Sequence, residues 1–372
     1  MKAPYSHWLA RWSKAGLIDE ETVRQIEVFE KSTPASEGLP WPVWVALGFG
    51  GLMLAAGILL FVGAHWDELS PLIRFLLVLQ LVLLFHLAGS GTHESFPALS
   101  TTFHGIGTVA LGASVFLTGQ IFHLETHWPA GVLLWAIGAW AGWWILKDWV
   151  HGVIAVVLTP AWLTAWWVER TSLSTHIAEV ILIDGLLLLA IAYMSAHLPD
   201  IRSELLIAIS WIGLAASVPL AILAAASLTP RGPESLEWPL ALLGWTAAVL
   251  LPLGTGWLLR GREAWPLLGW TLWVLLLSLV FSRQSGVGLY AWCAIGSIGL
   301  VAWGARDSSV PRVNLGTVFF ALTISAFYFS SVMDMLGRAF GLIGLGLLFL
   351  LGGWGIEKTR RRLVELVRRG GL

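Results

Sequence analysis

Leu72-Ile73-Arg74-Phe75-Leu76-Leu77-Val78-Leu79-Gln80-Leu81-Val82-Leu83-Leu84-Phe85-His86-Leu87-Ala88-Gly89 is the stretch that decides the fold. Only Arg74, Gln80 and His86 interrupt its apolar run, and a helix rising 1.5 Å per residue over such a length approaches the ~30 Å hydrocarbon layer of a bilayer. Segments of the same kind, each about 17 to 25 residues as a membrane requires, begin near Val43, Leu72, Gly105, Ala130, Val150 and Ile177. A second set begins near Leu205, Trp238, Ala264, Val287, Asn314 and Leu336. The expectation is an all-α, polytopic transmembrane helix bundle of about twelve spans. Composition supports it: 57% of residues are hydrophobic and 12% charged, about half the charged share of an average soluble domain. A water-soluble globule could not cover its surface with so few charges.

The joins between segments carry breakers and charges, as at Ser70-Pro71, Trp128-Pro129, Lys147-Asp148, Glu169-Arg170, Pro199-Asp200, Gly232-Pro233, Arg260-Gly261-Arg262 and Arg306-Asp307. Lys147-Asp148 is the tightest of them. Many of the 24 tryptophans fall near these borders, among them Trp41, Trp44, Trp66, Trp128, Trp149, Trp166, Trp167, Trp238, Trp265 and Trp354. Indole prefers the headgroup layer, so they read as an interfacial belt. Glycine runs at 48–51 and 341–346 read as places where helices approach closely. Neither is a phosphate loop, because neither follows a strand or ends in Lys and Ser or Thr.

Three units follow: residues 1–38, 39–356 and 357–372. In the first, Trp8, Leu9 and Trp12, then Val23, Ile26 and Phe29, recur at helical spacing. Gly16 is placed to end one helix in the left-handed conformation, and Asp19 to cap the next, whose positive end Glu20 and Glu21 favour. This hairpin is too small to hold a large core, so its apolar stripe suits a protein partner or the membrane surface. The tail, with Lys358, Arg360, Arg361, Arg362, Arg368 and Arg369, reads as a basic surface anchor.

The net charge of -1 gives no support to nucleic-acid binding. Placing both ends in the cytoplasm puts five Lys and Arg in the head, six in the tail and six in inner loops. Five remain outside, at Arg74, Arg170, Arg231, Arg283 and Arg338, and seventeen against five fits the positive-inside rule. The first forty residues are polar and the first apolar run is long, so no cleavable signal peptide is expected. The single cysteine, Cys293, excludes an intrachain disulfide and a multi-cysteine metal site.

Polar chemistry concentrates in two outer connections. One is His65-Trp66-Asp67-Glu68 with Arg74 just beyond; the other runs from Gln120 through His123 and Glu125 to His127. These residue types suit a binding or proton-handling vestibule. The spacing is not the His-Glu-x-x-His of zinc proteases, and no metal or other cofactor is expected. Within the membrane Asp184 is the clearest ionisable group, costly unless neutral, paired or facing a wet cavity. Gln80, His86 and Gln120 are its available polar partners. Candidate binding residues are therefore Trp66, Asp67, Arg74, Gln120, His123 and Asp184, with no catalytic set: neither a nucleophile elbow nor a paired-aspartate motif is present.

The hairpin at Gly16-Leu17-Ile18, the Ala64-His65-Trp66-Asp67 span end, and Gly119-Gln120-Ile121-Phe122-His123-Leu124 running through Trp128-Pro129 into Leu133-Leu134-Trp135-Ala136 carry a resemblance. The chain resembles the bacterial predicted-membrane-protein family called domain of unknown function 2157. The likeness is good over about the first 150 residues and looser beyond, and it departs at Phe122, where members usually carry Tyr. It implies an integral bacterial membrane protein and supplies no reaction, substrate or cofactor. The reading is a non-enzymatic, transporter-like or sensing bundle of the bacterial inner membrane with an outer vestibule for an unidentified small molecule. The alternative is a membrane scaffold recruiting partners through its head and tail.

Overall fold

The computed structural model describes residues 15–32, 69–122, 127–196, 203–227, 236–281 and 287–332 continuously, with isolated positions between 9 and 13, 45 and 60, and 346 and 358. Among these residues there are helices and no strands. In the head, Gly16 adopts φ +68° and Asp19 accepts from the Thr22 amide at 2.9 Å. Its helix, α1 (Glu20–Ser32), starts with Glu20 and Glu21 at the positive end of the dipole. The Thr22 hydroxyl and amide hold the exposed Asp19 carboxyl below the usual aspartate range.

Among the continuously described residues ten apolar helices follow: α2 (Pro71–Thr92), α3 (Pro97–Ile121), α4 (Trp128–Leu146), α5 (Trp149–Thr171), α6 (His176–Met194), α7 (Glu204–Ser227), α8 (Trp238–Arg260), α9 (Pro266–Phe281), α10 (Val287–Arg306) and α11 (Val310–Phe327). Nine of these regions are long and apolar enough to cross a membrane, and α9 is shorter. They correspond to the second through eleventh expected segments; the first and twelfth lie largely outside the described residues. The breakers act as sequence chemistry dictates. Ser70 caps α2 with Pro71 in its first turn, Asp148 caps α5, and Thr175 caps α6. At the tight 147–148 join, Lys147 takes a left-handed conformation and Asp148 restarts the helix at once.

Two boundaries differ from expectation. The third segment starts at Pro97 rather than near Gly105, and the eleventh at Val310 rather than near Asn314. Polar side chains made these turns look like loop. Thr102 is satisfied by the Ala98 carbonyl, His104 by His86, and Arg312 by Asp307, so helix continues through all three. The tryptophan belt holds at Trp128, Trp238 and Trp265, which are exposed near helix ends. Trp167 does not belong to it: it is buried and donates to the Ala178 carbonyl at 2.9 Å.

Sequential helices pair as antiparallel hairpins, α2 with α3, α4 with α5, α6 with α7 and α10 with α11. The C-terminal ends of α2, α4, α6, α8 and α10 thus share one face of the bundle, called face I, with the starts of the odd-numbered helices. Face II carries the opposite ends. At the centre stands α6, 67% of whose most apolar stretch is buried, against 33% or less for the other spans. Its Leu187, Leu188, Ile191 and Met194 pack with Ala224, Leu267, Val274, Leu300 and Leu315. With lipid outside, close backbone approach replaces water-driven burial as the main attraction between helices. Gly213 of α7 lies against the Ala190–Met194 backbone of α6, and a Cβ on Gly316 would sit 2.9 Å from the Ser297 carbonyl.

Candidate functional site

Three histidines from different helices meet near face I. His86 of α2 and His104 of α3 bring their rings to 5.3 Å, and His151, at the start of α5, lies 6.3 Å from each. Their approach depends on glycine. A Cβ on Gly89 would lie 2.7 Å from the His104 ring, and one on Gly107 3.0 Å from His86; Gly142 gives His151 its space. In the antiparallel pair, each histidine therefore rests on the glycine three residues beyond the other, His86 with Gly89 and His104 with Gly107 marking one face of each helix.

The hydrogen bonds define two linked units. Nδ1 of His86 faces Nδ1 of His104 at 3.0 Å. An imidazole nitrogen either donates or accepts, so this contact holds one proton between two rings and breaks when both nitrogens carry one. In the second unit the Asp148 carboxylate lies 2.8 Å from His151 Nδ1 and also accepts from the His151 amide at 2.8 Å. Burial raises the Asp148 carboxyl, but these His151 side-chain and backbone hydrogen bonds outweigh it and hold the group below the usual aspartate range. His151 Nε2 meets the Thr108 hydroxyl at 2.7 Å, and that hydroxyl also lies 3.2 Å from the His104 carbonyl.

Thr108 has a single proton to give. When it serves the His104 carbonyl, His151 Nε2 must donate to the hydroxyl oxygen. When Nε2 accepts instead, the Thr108 proton turns to it and the carbonyl loses a donor. The two units meet at His104, through its ring on one side and its carbonyl on the other. His151 is fully buried and His104 is 6% exposed, so bulk water does not level these states. The converging nitrogens of His86 and His104 resemble a partial metal set, but among the described residues no group of three ligands is assembled.

The residues expected from sequence are distributed differently. Trp66, Asp67 and His123, with His65, Glu68 and Glu125, lie outside the described residues. Arg74 starts α2 at face II, its Nε donating to the Leu69 carbonyl at 2.8 Å. Gln120 is exposed and lines a cavity of ≈ 500 Å³ between α2, α3 and α4, with Phe75, Thr118 and Trp128. His127, at the same face, pairs with Glu169 at 3.1 Å. Asp184 is fully buried on α6, its oxygens without a hydrogen-bond partner among the described residues, although Ser278 of α9 approaches it. It is not in the wall of the cavity that Gln120 lines, so the structure does not bring these two candidates together.

A second polar cluster also sits at face I. Arg260 donates to Asp307 at 2.7 Å and to the Ser195 carbonyl at 3.1 Å, and Arg312 donates to the same Asp307 oxygen. Both guanidinium groups lie over the Trp303 ring, at 5.7 and 4.8 Å. Burial raises the Asp307 carboxyl, but the two arginines outweigh it and keep it below its usual range. In sequence these read as loop charges, and His104, His151 and Thr108 do not stand out. The paired His-x-x-Gly spacing at 86–89 and 104–107 is the signal available for one of them, His104.

These observations define a multi-pass, all-helical membrane protein with proton-sensitive side chains buried between its first helices. Residues 10–152 match the model of the family described as predicted membrane protein (DUF2157). That match ends just after His151 and so includes the whole histidine cluster. No curated protein and no solved structure matches the chain.

Proposed function

We propose that this chain is a non-enzymatic membrane bundle that senses or moves protons, alone or with a small solute, through the histidine cluster. The observation that carries this reading is the Nδ1–Nδ1 contact of His86 and His104, which requires one shared proton inside an apolar bundle. The charged and titratable groups around it are His151 and Asp148 from α5 and its cap, and His93 from the turn after α2. Protonation of both rings puts a hydrogen on each Nδ1, breaks this helix-to-helix bond and leaves two cationic rings in contact. That favours separation of α2 from α3, as histidine switches do elsewhere. The cavity beside Gln120 lies at the opposite end of the same two helices, where their relative movement would alter its walls. The seventeen-to-five distribution of Lys and Arg supports a cytoplasmic-membrane location with both termini inside.

The test uses proteoliposomes of the full chain, with backbone hydrogen exchange over residues 86–108 and an internal pH dye, between about pH 5 and 8. The wild type is expected to open or conduct as pH falls; His104→Gln should flatten that response and the exposed His127→Gln should keep it. Identical profiles for wild type and His104→Gln would sink the proposal. A second reading, a scaffold, is favoured by the exposed Trp12 and Leu17 of the head. Removal of residues 1–38 should then release a bound protein, and an unchanged pull-down would discard it.

A further inference from the structure

A cleft of ≈ 370 Å³ opens between α9 and α10 on the outside of the bundle. Its walls are tryptophans, Trp265, Trp270, Trp273 and Trp303, and glycines open it where side chains would close it. Gly269 has no atom within 4 Å of a would-be Cβ, and Gly299 meets only Trp270 at 4.0 Å. Arg306 stands at the mouth, at face I, over the Trp265 ring at 4.7 Å. Its bond to Glu263, 2.9 Å, joins two half-exposed groups and is worth little in water. Among the described residues, Arg262 and Arg306 stand at this end with Glu263, and Arg260 and Arg312 with Asp307, so the end of the cleft is electropositive.

From these features we infer that the cleft binds one anionic phospholipid, its phosphate on Arg306 and an acyl chain along the tryptophan wall. Length supports a lipid over a free anion. From Arg306 to Ile295 the α10 side of the cleft runs about 16 Å, close to half the hydrocarbon thickness of a bilayer, about 15 Å. A free phosphate would leave that apolar length uncovered. Trp303 lines the cleft as well and is 5% exposed, so the wall is held by core packing. Indole at the headgroup layer, with one wet edge, is the usual partner of such lipids.

Titrated native mass spectrometry of the detergent-purified full chain tests this with phosphatidylglycerol and phosphatidylcholine of identical acyl chains. Phosphatidylglycerol should bind more tightly. Arg306→Gln should weaken it about tenfold, as loss of a charged hydrogen bond does, and leave phosphatidylcholine unchanged. Gly299→Leu, or Gly269→Leu if the first melts early, should exclude the acyl chain and remove both lipids. Equal binding of the two lipids, unchanged phosphatidylglycerol binding in Arg306→Gln or in the cleft-filling variants, or its displacement by millimolar inorganic phosphate, would each overturn the inference.

Discussion

The histidine cluster of α2, α3 and α5 and the arginine cluster of α8, α10 and α11 lie at the same face of one bundle and solve the same problem differently. Both bury polar groups from helices distant in sequence. In the second, Arg260 and Arg312 share Asp307, and a guanidinium is not a proton switch in the range where imidazole titrates, so the cluster works as a fixed clamp. In the first, each bond depends on where a proton sits, so the cluster can change state. The lesson is that burial of polar groups in a membrane serves attachment when the charge is permanent and response when it is titratable.

The comparison breaks hardest at Asp307. Asp307→Asn removes the counter-charge that two buried guanidinium groups share and should cost about 3–5 kcal/mol in detergent unfolding. Asp148→Asn should cost less, about 1.5–3 kcal/mol for a hydrogen bond to a charge, since Asn still caps α5. Both carboxyls titrate below the ordinary value of 3.8 in the fold, so their contributions are complete above it and fade as pH falls through the lowered values. Unfolding followed from neutral to acid pH should show this loss in wild type and not in the double Asn variant.

Gly89→Ala sharpens the contrast. Its methyl meets the His104 ring, so it should cost about 1–3 kcal/mol and also shift the pH response of hydrogen exchange. Gly254→Ala, which meets nothing within 4 Å, should do neither. The smallest effect is expected at the face II pair: Glu169→Gln faces an exposed His127 and should change the melting free energy by less than about 1 kcal/mol.

The bundle was legible because each helix declares itself locally. The apolar run from Leu72, the Ser70-Pro71 cap and the Lys147-Asp148 break need no knowledge of other helices. The site was much less legible. His86 was visible only as an isolated polar residue, and Asp184 as an isolated acid; the first has its partner 18 residues away on α3, and the second has none among the described residues. Arg312 read as a loop cation because nothing next to it in sequence reveals that it is fully buried beside Trp303.

By itself, then, the order of residues determined the surrounding medium, most helix ends and the capped head, since hydrophobic length, proline and capping residues act within a few positions. Only the tertiary structure decided which polar groups are satisfied, that α3 begins at Pro97 and α11 at Val310, and that α6 occupies the centre. The reason is that a polar side chain in hydrocarbon is stabilised by partners on neighbouring helices, and those neighbours are chosen by how whole helices pack.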